Sequence, residues 1–373
     1  MKQEKKKMLL LLVLGILLIP LATNILFPSR KFSDLENRVL TQEIRWDRDL
    51  LKSGVLAERV EAYVQDQFPL RDLLINLKSD VEVLLGKEEN NGVYKGQDGY
   101  LFRKPGVYKE KILSDNLKAL DILSQKLEGS LSVILAPPSS MVLTEKLPAF
   151  VNADKENAYY EQILNTFGES QVVPVLLKLL EKNQEKVYFR TDHHWSQYGA
   201  YVAYEELMHT LSLEPVDNSS FAVYKTSGFQ GTLYSRFRGT FIEGEDFVHY
   251  ESEGSSYQVE FVAENRLEDG ILFRENLNTR DKYKVYLDGN YPLIQIRNPE
   301  ARYQEKVLVL KDSYANAMAP YLAESFQEVH YMDLRYNNAS LSDYIEQEDF
   351  TRVVLLYGMD SIGEDPNLRK LGY

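Results

Sequence analysis

The 373-residue sequence contains no cysteine. Disulfides, thiolate metal sites and a thiol nucleophile are excluded, so covalent catalysis by this chain needs an oxygen or nitrogen nucleophile. Basic residues are in deficit: 43 Lys and Arg stand against 56 Asp and Glu, a net charge of -13. They form no stripe in the part that follows the N-terminal segment, and a nucleic-acid binder needs one to displace counterions from phosphates. No nucleic-acid partner is expected. Repeats and low-complexity segments are missing too, which sets repeat architectures aside. Core material is abundant: 44% hydrophobic and 12% aromatic residues fill a sizeable core in a chain of this length.

The first 33 residues separate from the rest. Lys2, Lys5, Lys6 and Lys7 precede an apolar run from Met8 to Phe27, close to the roughly 20 residues that a bilayer core requires. Positive charge before a first apolar segment retains the N-terminus in the cytoplasm, so the rest is expected on the extracytoplasmic side of a cell membrane. A cleaved signal peptide is the alternative for residues 1–28, although no clear A-x-A site follows the run. Either reading exports the domain.

After this segment, residues 29–92 read as a helical juxtamembrane lead-in, with helical patterning from Leu50 to about Leu85 interrupted at Pro69. Residues 93–373 read as an α/β domain. Val93 to Phe102 carries Asp98-Gly99 between β-favouring runs and is expected to be a hairpin. A helix is expected from Asn116 to Leu127. Three short apolar runs, Leu131–Ala136, Val307–Leu310 and Val353–Leu356, have the composition of buried parallel strands. A helix from Tyr314 to Phe326 and a strand from Val329 to Leu334 lie between the last two. Such alternation predicts an α/β sheet with helices on both faces. Residues from about 221 to 298 differ, with turn signals and alternating runs such as Tyr283–Leu287, then Asp288-Gly289, then Leu293–Ile296. On these turn signals and alternating runs the stretch is expected to be a β-rich insertion.

Reactive groups concentrate in two places. In Thr191-Asp192-His193-His194-Trp195-Ser196, a short β-like stretch leads into an amphipathic helix from about Gln197 to Leu211, with Ser196 as its N-cap. Asp192 and His194 stand two apart on an extended approach to that helix, which lets a carboxylate orient an imidazole. In Lys311-Asp312-Ser313-Tyr314, a serine follows a buried strand and precedes a helix. Open α/β sheets put their active sites at that end of the strands, and a helix N-terminus suits a developing oxyanion. Plainer readings stand beside these. Asp-Ser before a helix is often only a cap, and Asp192 with two histidines can form a metal site. The remaining histidines, His209, His249 and His330, lie in ordinary contexts. The 25 tyrosines suit either a core or a carbohydrate groove.

With these two motifs the sequence resembles the DHHW family, relatives of the AlgJ and AlgX alginate O-acetylation proteins in the SGNH hydrolase superfamily. Also matching are Phe32-Ser33-Asp34-Leu35-Glu36-Asn37-Arg38, Asp66-Gln67-Phe68-Pro69-Leu70-Arg71-Asp72, the Gly96–Phe102 hairpin and Phe229-Gln230-Gly231-Thr232-Leu233-Tyr234-Ser235-Arg236. The resemblance implies a three-layer α/β/α fold in which a catalytic Asp-x-His pair precedes the serine, a permuted order that falls here on Asp192, His194 and Ser313. It singles out His194 over His193. It implies an extracytoplasmic O-acyltransferase, acetyl above all, that modifies cell-surface or exopolysaccharide hydroxyls through an acyl-serine. A multi-pass membrane O-acyltransferase would supply the acyl group, and no cofactor or metal is expected. An esterase with the same triad and a non-catalytic polysaccharide-binding protein are the rival readings. The glycine and asparagine blocks that make the oxyanion hole of ordinary SGNH enzymes are not evident, which leaves only the Ser313 N–H as a candidate donor.

Overall fold

The computed structural model describes residues 6–8, 29–33, 35, 38–42, 55–105 and 108–372. The expected membrane anchor, residues 1–28, falls outside the described residues apart from Lys6, Lys7 and Met8. Among the described residues no helix is long and apolar enough to cross a membrane.

The chain divides into two compact units. The smaller runs to Asn90 and takes in Arg238–Ile242. In it β1 (Phe32–Ser33) pairs antiparallel with β2 (Arg38–Val39), helices α1 (Val55–Gln67) and α2 (Arg71–Leu84) follow, and the short strand β3 (Glu89–Asn90) ends it. The helices break where Pro69 and a left-handed Leu70 (φ 57°) intervene. The Arg38 guanidinium binds Asp66 at the end of α1, and Thr41 donates to the same carboxylate through its N–H and its hydroxyl. That arrangement holds the Asp66 carboxyl well below the usual range, with the Arg38 hydrogen bond the largest cause. Along α2, Leu73, Leu77, Val81 and Leu84 stay exposed.

The larger unit opens with the antiparallel hairpin of β4 (Val93–Lys95) and β5 (Leu101–Arg103). Its turn puts Asp98 at φ 53° and Gly99 at φ 77°, the backbone that an Asp-Gly pair adopts at least cost. The remaining strands are β6 (Leu131–Ala136), β7 (Ala222–Phe229), β8 (Glu245–Glu251), β9 (Gln258–Phe261), β10 (Arg266–Glu268), β11 (Leu293–Arg297), β12 (Tyr303–Lys311), β13 (Phe326–Met332) and β14 (Arg352–Gly358). Seven of them form one mixed sheet in the order β10-β9-β11-β13-β12-β14-β6. β13, β12, β14 and β6 run parallel, and β11, β9 and β10 are added antiparallel on the β13 side.

Successive side chains of a strand point to opposite faces, so a strand covered on both sides reads as one apolar run. Leu131, Val133 and Leu135 of β6 share one core with Leu308, Leu310, Val353 and Leu355. Ile134 and Ala136 share the other with Val307, Val309, Val354 and Leu356. The first core is closed by α3 (Glu110–Lys126) through Leu113, Leu120 and Leu123, and by α4 (Asp154–Leu164) through Tyr160 and Ile163. The second is closed by α5 (Val175–Glu181), α6 (Gln197–Thr210) and α7 (Ala319–Ser325). The result is the expected α/β fold with helices on both faces, built on a sheet that is mixed rather than all parallel. Burying one leucine of this kind stabilises the fold by about 1.5–3 kcal/mol.

Several boundaries differ from the expectation. The helix expected from Asn116 begins at Glu110. The helix expected from Tyr314 to Phe326 opens as a 3₁₀ turn over Ser313–Met318, becomes α-helical only at Ala319, and ends before Phe326, which already belongs to β13. Residues 221–298 are β-rich as expected, and β7 and β8 form a two-stranded sheet of their own, but the rest does not stand apart. Strands β9, β10 and β11 complete the central sheet, because β13 offers them an edge that β12 leaves unpaired. The alternating run Tyr283–Leu287 is not a strand: Lys282–Val285 is a 3₁₀ turn. Tyr283, Val285 and Leu287 are all buried, so an alternating apolar pattern arose there without a strand.

Candidate active site

The loop that carries Asp192 and His194 is closed at its base by an antiparallel bridge between Tyr188 and Trp195 and by Ser196 N–H donating to the Val187 carbonyl at 2.9 Å. Inside it, His194 N–H donates to Asp192 Oδ1 at 3.0 Å. The pair therefore stands in an Asx turn and not on the extended approach expected from the sequence, because the short aspartate side chain captures the backbone two residues on. Trp195 is fully buried and donates through Nε1 to the Tyr314 carbonyl at 3.0 Å, which ties this loop to the Ser313 turn. Ser196 caps α6 as expected, accepting from Gly199 N–H at 3.1 Å. Gly231 packs so closely on the Asp192 carboxylate that a Cβ there would collide with it.

Ser313 follows β12, at the carboxyl end of the parallel strands. The cap of its turn is Asp312, whose Oδ1 accepts from Tyr314 N–H at 2.9 Å. Its Oδ2 accepts from Gly358 N–H at 2.9 Å and from Ser361 Oγ at 2.6 Å. Capping thus belongs to the aspartate and leaves the serine hydroxyl to other work. Ser313 Oγ lies 2.8 Å from His194 Nε2, and His194 Nδ1 lies 2.6 Å from Asp192 Oδ1. The three residues singled out in the sequence, 119 residues apart at the widest hydrogen bond, meet in one relay.

Burial alone would raise the Asp192 carboxyl, but His194, His193 and the Thr232 N–H at 2.7 Å outweigh it and hold the group ionised, well below the usual carboxylate range. An ionised Asp192 can only accept, so Nδ1 of His194 carries the proton and Nε2 faces Ser313 with its lone pair. The Tyr283 ring stacks on the His194 ring with centroids 3.9 Å apart and planes 6° apart. Its hydroxyl donates to the Ser313 carbonyl at 3.1 Å. Tyr283 thus touches both members of the proton-transfer pair.

His193 takes another path. Burial and the neighbouring His194 lower its pKa, so the ring is neutral, and its Nδ1 is 2.6 Å from Thr232 Oγ1. Asp192, His193 and His194 bring ligand atoms within 4.8 Å of one another. Two of those atoms are engaged in hydrogen bonds, His194 Nδ1 with Asp192 and His193 Nδ1 with Thr232. His209 is exposed on α6, while His249 pairs with Glu251 at 2.9 Å and His330 with Glu328 at 2.6 Å.

The relay opens on a cavity of about 500 Å³, lined also by Thr232, Asn290, Tyr291, Asn316 and Tyr336, a size that accommodates a small ligand. Behind it lies Lys311, fully buried at the end of β12. Its ammonium donates at 2.7 Å to both Asn290 Oδ1 and Asn316 Oδ1, with Asp333 3.8 Å away. Burial brings the lysine down to about 8 against the pull of Asp333. Asn316 Nδ2 also donates to Asn290 Oδ1, at 3.3 Å. Two donors on Oδ1 fix the Asn290 amide, which turns its NH₂ away from them.

Residues 154–332 match the family model described as DHHW protein, a span that includes Asp192, His194 and Ser313. Over these residues the chain is similar to the DHHW family. Among curated proteins the probable alginate O-acetylase AlgJ of Pseudomonas putida is 30% identical over 189 residues, 47% of this chain and 48% of AlgJ. The chain thus spans about half the length of the curated relatives it matches. Among solved structures, a DHHW family protein from Eubacterium siraeum superposes with a TM-score of 0.63 at 22% identity, over 76% of this chain and 95% of that one. PatB1 of Bacillus cereus gives 0.61 at 23%, over 72% and 97%. Both likenesses concern the fold.

Within this site the sequence reading missed Tyr283, Asn290 and Asn316. The signal available was Lys311: a charge closing the run Val307–Leu310 needs a polar partner if the strand is buried. Asn290 follows Asp288-Gly289 and was hidden by the turn that pair suggested.

Proposed function

We propose that this chain is a serine O-acyltransferase, acetyl in the first instance, that modifies hydroxyl groups of a glycan. The observation that carries the proposal is the unbroken relay from Asp192 through His194 to Ser313 at the mouth of a ligand-sized cavity. The name of its AlgJ relative, a probable alginate O-acetylase, supports the choice of acyl group and acceptor. His194 Nε2 takes the Ser313 proton as Oγ attacks the acyl carbonyl of the donor. The leaving group departs with that proton, and Ser313 carries the acyl ester. In the second half His194 deprotonates an acceptor hydroxyl, whose oxygen attacks the ester carbonyl, and the proton returns to Ser313. Asp192 orients the imidazole and stabilises its cationic form in both halves. Asn290, with its NH₂ free of Lys311, supplies a hydrogen-bond donor for the acyl oxygen as negative charge develops there.

The lysine cluster and apolar run at the N-terminus support an extracytoplasmic, membrane-anchored domain. Coenzyme A esters do not reach that side, so the donor is an acyl group passed across by a multi-pass membrane acyltransferase. The net charge of -13 favours a neutral acceptor over a polyanion.

The test uses the full-length chain in detergent with 4-nitrophenyl acetate as donor and peptide mass spectrometry as readout. An acetyl adduct on Ser313 that Ser313→Ala abolishes, together with loss of glycan acetylation in cells carrying that variant, is the expected result. No adduct, with unchanged cellular acetylation in Ser313→Ala, would instead indicate the binding-protein reading. An adduct discharged only to water, whatever glycan is added, would indicate an esterase.

A further inference from the structure

A second cavity, of about 430 Å³, shares no lining residue with the first. Its walls include Tyr188, Phe189 and Ser196, at the two ends of the loop whose middle carries Asp192 and His194, together with Tyr198 and Tyr250. Its lining includes Glu245 of β8, with a side chain only 5% exposed. Glu245 Oε1 accepts three hydrogen bonds, from Arg190 N–H at 2.7 Å, Thr191 N–H at 3.1 Å and the Thr191 hydroxyl at 3.3 Å. Among the described residues Oε2 accepts none, and Arg190 Nε stands off at 3.9 Å. Oε2 thus has Arg190 as an ion-pair partner at a distance that leaves room for a hydroxyl donor entering the cavity. Burial pushes this carboxyl up to about 7 even against its backbone hydrogen bonds.

We infer that this second cavity binds a neutral sugar residue of the acceptor glycan, with hydroxyls donating to Glu245 Oε2 and the ring lying against Tyr198 and Tyr250. The inference rests on the glycan-acceptor reading given above. Four features favour this occupant. The volume holds a monosaccharide or disaccharide unit. Half-buried tyrosines offer an apolar face with a polar tip, which suits the C–H face and hydroxyl rim of a sugar. A carboxylate acceptor makes stronger hydrogen bonds to hydroxyls than a neutral one. Charges of both signs line the cavity, Lys186 and Lys225 against Glu185 and Asp246, which gives a polyanion no preferred seat. Binding here would also reach the triad, because the carboxylate that receives the sugar holds the two backbone N–H groups immediately before Asp192.

Isothermal titration of the full-length chain in detergent with cellotetraose, xylotetraose, maltotetraose, chitotetraose and tetramannuronate tests this. At least one neutral tetrasaccharide is expected to bind, and to bind more tightly than tetramannuronate. Val223 lines the cavity and is exposed, so Val223→Trp fills the space; that variant, at an unchanged melting temperature, and Tyr250→Ala, in protein still folded at the titration temperature, are each expected to weaken binding at least tenfold. The inference is overturned if no neutral sugar binds, if tetramannuronate binds best, or if Val223→Trp and Tyr250→Ala bind like wild type while Asn290→Ala does not. Sugar binding that responds to Val223→Trp in a protein that never acylates Ser313 would remove the acyltransferase reading and leave this site standing. Acylation without sugar binding would do the reverse.

Discussion

The two halves of the larger unit divide the labour of this protein. The parallel strands β6, β14, β12 and β13 supply a two-faced core and deliver one reacting group, Ser313, at the end of β12. The other half, built from the Tyr188–Trp195 loop, the β7–β8 pair and the segment from Lys282 to β11, supplies the base, its carboxylate, the stacked Tyr283 and Asn290. A rigid sheet thus fixes the nucleophile while irregular backbone brings chemistry to it, as expected when functional groups sit on loops held by a scaffold. Substitutions in the first half should therefore cost stability, and substitutions in the second should cost rate.

The sharpest test of that division is Asp192→Asn. The amide keeps the shape but can donate to His194 Nδ1, which moves the proton to Nε2 and turns it away from accepting the Ser313 proton. Acylation of Ser313 should fall about 10⁴-fold, the order seen when a triad carboxylate is replaced by its amide. The melting temperature should change little. Stopped-flow acylation by 4-nitrophenyl acetate with a parallel thermal melt measures both, and a large loss of stability with modest loss of rate would break the comparison.

The complementary test is Leu308→Ala in β12. Leu308 is fully buried between α/β layers, opposite His330 and Val353 in register. Truncation should cost about 2–5 kcal/mol of unfolding free energy by denaturant titration. The acylation rate per folded molecule should stay within a few-fold of wild type, since neither the Asx turn nor the Asp312 anchors are touched.

The same division governs what the sequence reveals. Leu131–Ala136, Val307–Leu310 and Val353–Leu356 were legible as strands because burial on both faces removes every polar residue from the run. The Asp-x-His motif was legible because both groups are local. Ser313 was legible only together with a family pattern, since the observation that separates nucleophile from cap, the use of Asp312 as the cap, requires coordinates. Tyr283 was misread because Tyr283, Val285 and Leu287 alternate as a strand does while burying themselves from a 3₁₀ turn. Asn290 and Glu245 gain their meaning from Lys311 and Thr191, partners more than twenty residues away, and such pairings leave no periodic trace.

Glu245 offers the smallest and most specific prediction. Its carboxyl ordinarily titrates at 4.5 and is pushed up to about 7 by burial, so between those values the folded chain holds a proton that the unfolded chain has lost. The stability this contributes is complete below the unfolded value and is lost as pH rises through about 7. Glu245→Gln carries a neutral group at every pH and cannot lose it. The melting temperature of the variant minus that of wild type should therefore rise by a few degrees from pH 5 to pH 8, the variant gaining where the buried carboxylate of wild type is forced to ionise. A difference that stays flat, or falls, would mean that the Arg190 and Thr191 N–H groups already hold Glu245 ionised, and the cavity behind the triad loop would then contain a satisfied anion with less need of a sugar hydroxyl.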